Sequence, residues 1–252
     1  MTSINTNVGA LKARSSTVQA TEKMQKAMER LSSGLRINSA ADDAAGLAVA
    51  GKMESQLRGI NMSIRNAQDG VGLIQTAEAG LNEIRNMVLR MRELAVQMAN
   101  GIYEDTPDRD NAQLEVAALL NQVNLIADNT KFNNVALLDG SFTTVNIQAG
   151  NNTAETIELS FIDVGQTGLS MNGANIGSQT SAVVVMGTMD TALNSIAAEQ
   201  AKFGSLINRL NFSIANLSKA SVTTEQAIGR VLDADFAQET TNLSKQQILN
   251  QA

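Results

Sequence analysis

The stretch MESQLRGINMSIRNAQDGVGLIQTAEAGLNEIRNMVLRMRELAVQM, residues 53–98, decides the fold. Its apolar residues recur in alternating steps of four and three from Met53 to Ile74 and again from Leu81 to Met98. Such spacing over about six heptads is typical of a long helix packed in a coiled-coil-like bundle. At about 1.5 Å per residue this helix spans roughly 70 Å, too long for a compact globule, so we expect a rod-shaped molecule.

Other segments repeat this spacing more weakly. Two are central, from Ala112 to Ile126 and from Met189 to Leu217. The terminal ones are sparser, with Ile4, Val8, Leu11 and Val18 near the start and Ile228, Val231, Phe236, Leu243 and Leu249 near the end. Helices with so few apolar positions are marginal in water by themselves. We therefore expect the terminal helices to need each other and neighbouring molecules to become stable.

The single proline marks a turn between two helices. Asn100 and Gly101 are typical of a helix end. Thr106 supplies a capping hydroxyl, and Pro107 suits the first helical position before Asp108. The sequence therefore predicts a helix that starts at Pro107 and folds back antiparallel to the long one.

The apolar period changes to two between residues 132 and 162. Val145 and Ile147 alternate with polar residues, and Ile157, Leu159 and Phe161 do the same after a Gly- and Asn-containing turn. This pattern predicts a small β-hairpin.

Two segments lack a clear period. Residues 163–180 contain four glycines and are predicted to form an exposed loop. Residues 32–46 are rich in Ser, Asn and Asp, and we expect a helix to start near Ser39. This second segment is either a plain linker or a conformable connector that lets one sequence occupy different packing states, and both interpretations remain open.

The composition excludes several classes of chemistry. The 252-residue chain has no His and no Cys, which removes disulfides, thiolate or imidazole metal sites, a His base and a Cys nucleophile. A P-loop motif is also absent from the sequence. The pairs Asp42–Asp43 and Asp108–Asp110 offer a cation site, but we expect them to serve helix N-termini. The sequence therefore predicts no enzyme, no cofactor and no metal.

The net charge of −6 is unevenly distributed. Residues 1–36 carry six basic and two acidic side chains, whereas the rest of the chain is acidic. The basic arm has no interleaved aromatic residues, so a solvated face or a contact with another subunit is favoured over nucleic acid. The sequence has no apolar stretch of about 18 residues and no secretory signal core, so no membrane span is predicted. These features alone would place the chain in the cytoplasm.

Several longer motifs point to a family. They include ERLSSGLRINSAADDAAGLA at 29–48, NAQDGVGLIQTAE at 66–78, MRELAVQ at 91–97, FNNVALLDG at 132–140 and DADFAQET at 233–240. In this order they resemble bacterial flagellin over nearly the whole chain. The resemblance implies a subunit of the flagellar filament, with itself as the main partner in a helical homopolymer.

The resemblance also implies a domain organisation. The fold would be mainly α, an elongated antiparallel helical bundle or coiled coil with a small β-hairpin region, in the family's D0–D1 architecture. Residues 1–44 would form the N-terminal D0 helix and connector, 45–178 and 179–220 the two parts of D1, and 221–252 a truncated C-terminal D0 helix. Because a short loop takes the place of the family's outer domain, the chain resembles a minimal flagellin.

Export and recognition are further implications of the resemblance. Export through the flagellar type III apparatus needs no cleaved signal, so the expected location becomes the extracellular flagellum rather than the cytoplasm. An export chaperone and the cap and hook-associated proteins are expected partners. The stretch beginning at Arg90 resembles the patch read by the mammalian flagellin-sensing Toll-like receptor, which makes Arg90, Leu94 and Glu115 candidates for receptor recognition or filament contacts.

Two alternatives remain open at this point. A flagellin-like surface protein that binds polysaccharide or acts as an adhesin would use aromatic side chains outside the helices, namely Tyr103, Phe132, Phe142 and Phe161. A hook–filament junction protein would share the terminal helices, although the match through the hairpin favours flagellin itself.

Overall fold

The computed structural model describes residues 6–251, so Ile4 of the N-terminal apolar pattern lies outside the described residues. Within them the chain forms the helices α1 (Val8–Ser33), α2 (Ala44–Met98), α3 (Asp110–Asn129), α4 (Gln179–Leu232) and α5 (Phe236–Gln251). The strands are β1 (Lys131–Phe132), β2 (Val135–Ala136), β3 (Thr144–Gln148) and β4 (Thr156–Ser160). The predicted mainly α fold is confirmed. None of the helices in the described range has an apolar stretch long enough to cross a membrane.

The chain divides into two compact units. Unit 1 comprises residues up to Ile60 and from Lys219 onward, and unit 2 comprises Asn61–Ser218. The long helices α2 and α4 therefore contribute residues to both units.

In unit 1, α1 packs antiparallel against α5. The Arg30 guanidinium lies 3.1 Å from the Glu239 carboxylate, and the Thr21 hydroxyl accepts a 3.1 Å hydrogen bond from the Asn250 amide. Between these polar contacts Ala27 is buried, so a small side chain allows close approach of the helices. The pairing is thus set by polar contacts and small residues rather than by a large apolar seam.

Residues 34–43 of unit 1 join several helix ends. Gly34 ends α1 with a φ of 73°, and its carbonyl accepts a bond from the Ala234 N–H. Arg36 binds the end of α4: its backbone N–H donates to the Leu232 carbonyl and its guanidinium to the Val231 carbonyl, 2.7 Å away. These bonds satisfy carbonyls that a helix leaves unpaired at its C-terminus.

The predicted helix start near Ser39 is wrong. The hydroxyl and backbone N–H of Ser39 both donate to the Asp42 carboxylate, so this residue belongs to a turn. The cap of α2 is instead Asp43, whose carboxylate accepts the Gly46 N–H at 2.8 Å. The connector is therefore a hydrogen-bonded turn followed by a capped helix.

Unit 2 is built on the predicted four-three spacing. Its core contains Ile74, Leu81 and Met91 of α2, together with Val116 of α3 and Ile196 of α4. All five are fully buried, which confirms that the long segment, the short one after the turn and the returning one share a core.

The predicted helix start at Pro107 agrees with the backbone. Thr106 is extended, with φ of −131° and ψ of 125°, and helical backbone leads from Pro107 through the Asp105–Arg109 turn into α3, which begins at Asp110. The predicted cap is wrong. The Thr106 hydroxyl donates to the Asp110 carboxylate at 3.1 Å instead of accepting a backbone N–H. Asp110 therefore accepts a hydrogen bond from the Thr106 hydroxyl that was predicted to cap the helix.

The predicted hairpin is confirmed, with β3 antiparallel to β4 and Val145 opposite Leu159. A second, smaller antiparallel pair, β1 and β2, was not predicted. Its turn is Asn133–Asn134, with φ of 48° and 65°. Asn tolerates this left-handed region better than most residues, so the Asn-Asn pair was the available signal.

The expectation of an exposed loop at residues 163–180 is wrong. Most of this segment is irregular, but five of its apolar side chains are buried, namely Val164, Leu169, Met171, Ala174 and Ile176. The Gln113 side chain of α3 donates to the Ala174 carbonyl and accepts the Ile176 N–H at 2.7 Å. Asn124 likewise accepts the Gln166 N–H. Side chains of α3 thus supply the backbone partners that a buried irregular segment needs.

Candidate functional site

Arg90 and Glu115 lie next to each other across α2 and α3. The Nε atom of Arg90 is 2.8 Å from a Glu115 carboxylate oxygen, and a second nitrogen is 3.4 Å from Glu93. The hydrogen bond to Glu115 raises the pKa of Arg90 above its usual value. Both partners are about half exposed, so the pair is screened by water and holds the helices together only weakly.

Leu94 lies beneath this ion pair rather than on the surface. Its exposed fraction is 4%, and it belongs to the core of unit 2. With Arg90 and Glu115 it lines an open groove of about 350 Å³, whose remaining lining residues are Gln97, Met98, Tyr103, Asp108, Asn111 and Ala112. The structure thus brings the three candidate residues together, with two charged side chains at the rim and Leu94 at the floor.

Two groove residues come from the turn, and the sequence did not predict that they belong to this site. Tyr103 accepts a 3.3 Å hydrogen bond from the Gln97 amide at its hydroxyl, and Asp108 accepts the Glu104 N–H. Their position depends on how the turn folds back over α2. The available signal was a lone Tyr two residues after the Asn-Gly pair that ends the helix.

A second candidate surface lies on unit 1. Val8, Leu11 and Val18, which we call the α1 seam, are 67%, 55% and 51% exposed. The contact of Thr21 with Asn250 lies three residues after Val18 on α1. An apolar line left in water on one helix face is typical of an interaction site.

Sites for cations or sugars find no support among residues 6–251. No group of three or more metal-ligating side chains occurs there. One carboxylate oxygen of Asp42 accepts hydrogen bonds from Ser39 and Asn38. Burial raises the pKa of Asp42, but these hydrogen bonds and the charge of Lys26 together outweigh it, so the pKa is lowered. Phe161 is buried and its ring centroid lies 5.7 Å from Phe142. These rings pack in the core instead of forming a platform for a sugar.

Comparison with known proteins identifies the family. The profile of the bacterial flagellin N-terminal helical region matches residues 4–143, and that of the bacterial flagellin C-terminal helical region matches residues 186–252. The chain belongs to the bacterial flagellin family. Flagellin is a structural protein family.

Similar flagellar proteins match over almost the full chain. Flagellin from Halalkalibacterium halodurans is 40% identical over 253 residues, which cover 99% of this chain and 92% of that protein. The flagellar filament 33 kDa core protein of Treponema phagedenis is 37% identical, again over 99% of this chain and 92% of that one. The crystal structure of Bacillus cereus flagellin is 34% identical, covers 61% of this chain and 88% of that chain, and has a TM-score of 0.55.

Proposed function

We propose that this flagellin is a structural subunit of the bacterial flagellar filament and that copies join through the α1 seam. The observation that carries this proposal is the exposure of Val8, Leu11 and Val18 along one face of α1. The similar protein of Treponema phagedenis is a flagellar filament core protein, which supports the same role.

Apolar burial against a neighbouring copy explains why such a seam favours a polymer. Covering these side chains stabilises the complex by about 25 cal/mol per Å² of apolar area. When the surface on one copy meets a different surface on the next and the rotation between copies does not close a ring, a helical filament results. In this proposal residues 1–44 and 221–252 form D0, and residues 45–178 and 179–220 form D1.

Seeded polymerisation tests the proposal. Monomers of the parent chain and of the double variant Leu11→Asp with Val18→Asp are added to flagellar seeds, and filament length is followed by electron microscopy. We expect the parent to elongate the seeds and the variant not to, because two carboxylates cannot be buried without partners.

The matched control is Ser16→Asp, on the polar side of the same helix. Ser16 is exposed, and its hydroxyl only binds the Lys12 carbonyl within α1. We expect this variant to elongate seeds like the parent. Equal elongation by the Leu11 and Val18 variant would refute the seam as a contact surface.

The remaining partners and the location belong to the same proposal. The subunit leaves the cell through the flagellar type III apparatus and functions in the extracellular flagellum. On this route the export chaperone, the cap and the hook-associated proteins meet the terminal helices before or during assembly. Secretion of the chain by a host strain with and without that apparatus tests the route, since appearance in the medium of both strains would contradict it.

The α2–α3 groove is the proposed receptor-recognition and filament-contact site, with Arg90, Leu94 and Glu115 as its residues. Since Leu94 is buried, substituting it would disturb packing as well as recognition. The test is therefore a double variant, Arg90→Ala with Glu115→Ala, whose monomer we expect to lose receptor activation. The control is Arg58→Ala, which removes an exposed ion pair with Glu54 on α2, outside the stretch that begins at Arg90. Unchanged activation by the first variant would refute recognition at the groove.

A further inference from the structure

Arg109 is a buried charged residue next to the α2–α3 groove. It immediately precedes α3, and its exposed fraction is 4%, whereas its neighbours Asp108 and Asp110 are exposed. A guanidinium is costly to bury, so its donors need good partners.

The guanidinium of Arg109 satisfies its donors with three partners. Its Nε donates to the Met98 carbonyl at 2.9 Å, and one terminal nitrogen donates to the Asn100 carbonyl at 3.0 Å. The other terminal nitrogen is 2.6 Å from the Asp105 carboxylate. Two of the three partners are thus carbonyl groups at the end of α2.

These contacts join the end of one helix to the start of the next. The last carbonyls of α2 have no partner within the helix, and a cation at that end is also favoured by the helix dipole. Because the planar guanidinium has donors in a fixed fork, it holds both carbonyls in one geometry. The backbone of Arg109 leads directly into α3, so this fork fixes the position of α3 relative to α2.

The groove depends on that relative position. Glu115 lies six residues after Arg109 on α3, and Arg90 lies eight residues before Met98 on α2. The half-exposed pair that they form is too weak to set the position of two helices by itself.

We infer that Arg109 is a positioning residue for the groove, which places Glu115 beside Arg90 and sets the turn that carries Tyr103 and Asp108. An effect of Arg109 on receptor recognition rests on the proposed function of the groove. The positioning of Glu115 by Arg109 is independent of that function, because it concerns contacts within unit 2.

A double-mutant cycle in the full chain tests the positioning role. Three variants are made in the parent chain and again in Arg109→Met, namely Arg90→Ala, Glu115→Ala and the two together. The midpoints of their unfolding in guanidinium chloride are then compared. In the parent we expect the two shifts to be non-additive. In Arg109→Met we expect them to be additive, because the carboxylate and the guanidinium no longer meet.

The matched control background is Arg92→Met, since this arginine lies two residues from Arg90 but pairs with α4 through Asp190. There we expect the Arg90–Glu115 coupling to survive. If the coupling also survives in Arg109→Met, the inference is overturned, even when that variant is less stable.

A milder variant covers the case in which Arg109→Met does not fold. Arg109→Lys keeps the charge but not the fork, and the hydrogen exchange of the Arg90 Nε–H is followed by NMR. We expect faster exchange than in the parent, and an unchanged rate overturns the inference. Normal receptor activation by a variant that has lost the coupling would instead refute recognition at the groove and leave the positioning role intact.

Discussion

Lys202 lies one helical turn after Glu199 on α4, with its Nζ atom 3.3 Å from an oxygen of the buried Glu199 carboxylate. Burial raises the pKa of Glu199 above its ordinary value of 4.5, and the positive charge of Lys202 offsets only part of that effect. The folded chain therefore holds this proton more tightly than the unfolded chain. The contribution of Glu199 to stability is fully present below pH 4.5 and is lost as the pH rises through the raised pKa.

Glu199→Gln is expected to stabilise the protein at neutral pH. The amide has nearly the same shape as the carboxyl group and carries no charge, so the loss of stability that Glu199 causes as the pH rises disappears. The midpoints of unfolding in guanidinium chloride, at acid and at neutral pH, measure the effect. The control is Glu83→Gln on the exposed side of α2, for which we expect little change at either pH. A Glu199→Gln variant that is less stable than the parent at neutral pH would contradict the prediction.

Two phenylalanines on α4 are expected to differ sharply in their effect on stability. Phe203 is fully buried, and its ring centroid lies 5.5 Å from that of Phe161. We expect Phe203→Ala to lower the free energy of unfolding by about 3–5 kcal/mol, because it removes this contact and leaves a cavity. Chemical unfolding followed by far-UV circular dichroism measures the loss.

Phe212 provides the matched control for the same substitution. It is 77% exposed and lies on the same helix. We expect Phe212→Ala to change the free energy of unfolding by less than about 0.5 kcal/mol. Similar losses for both variants would mean that the ring of Phe203 is not the part of the core that the structure indicates.

Periodic segments were predictable from sequence because their partners follow from the period. The four-three spacing selects positions of α2 that are all buried from Ile74 to Met98, and Ala77 and Leu94 beside this seam are buried as well. The burial of residues 163–178 could not be predicted in this way, since their buried side chains have no regular spacing. Their burial depends on Gln113 and Asn124, which belong to α3 and lie far away in sequence.

The groove was predictable only in part, for a similar reason. Arg90 and Leu94 are four residues apart on one helix, so their proximity follows from the helical repeat. The contact with Glu115 requires the turn to return α3 at one particular height along α2. That height is set by the buried side chain of Arg109, which no local pattern revealed.

Gly80 on α2 is expected to resist substitution. A Cβ atom at this position would lie 2.5 Å from the Thr130 hydroxyl oxygen and 3.0 Å from a methyl group of Leu138. The Thr130 hydroxyl is also held by the Ile126 carbonyl at 2.7 Å, so it cannot move freely. We expect Gly80→Ala to destabilise by about 1 kcal/mol or more, since overpacking exceeds the gain in helix propensity.

The control for this prediction is Gly187→Ala on α4, where no atom lies within 4 Å of the added Cβ. There we expect a stabilisation of about 0.5–1 kcal/mol, because Ala restricts the unfolded chain and favours the helix. Thermal unfolding of both variants gives the comparison. Stabilisation by Gly80→Ala would show that α2 and the α3–β1 junction are packed more loosely than these distances indicate.

The segment between β4 and α4 is expected to accept an insertion at one point and not at another. Asn172 and Gly173 are exposed, and a Cβ atom added at Gly173 would have no atom within 4 Å apart from its neighbours in sequence. A twelve-residue Gly/Ser linker placed between them should leave the buried side chains in position. Each doubling of loop length costs only about 0.6 kcal/mol in closure entropy, so we expect a loss of about 1 kcal/mol in the free energy of unfolding.

The same linker between Gly165 and Gln166 should cost several times more, because it interrupts a buried backbone whose Gln166 N–H is bound by Asn124. Unfolding midpoints of the two insertion variants decide the matter, and equal tolerance at both points would mean that the segment is not held by α3.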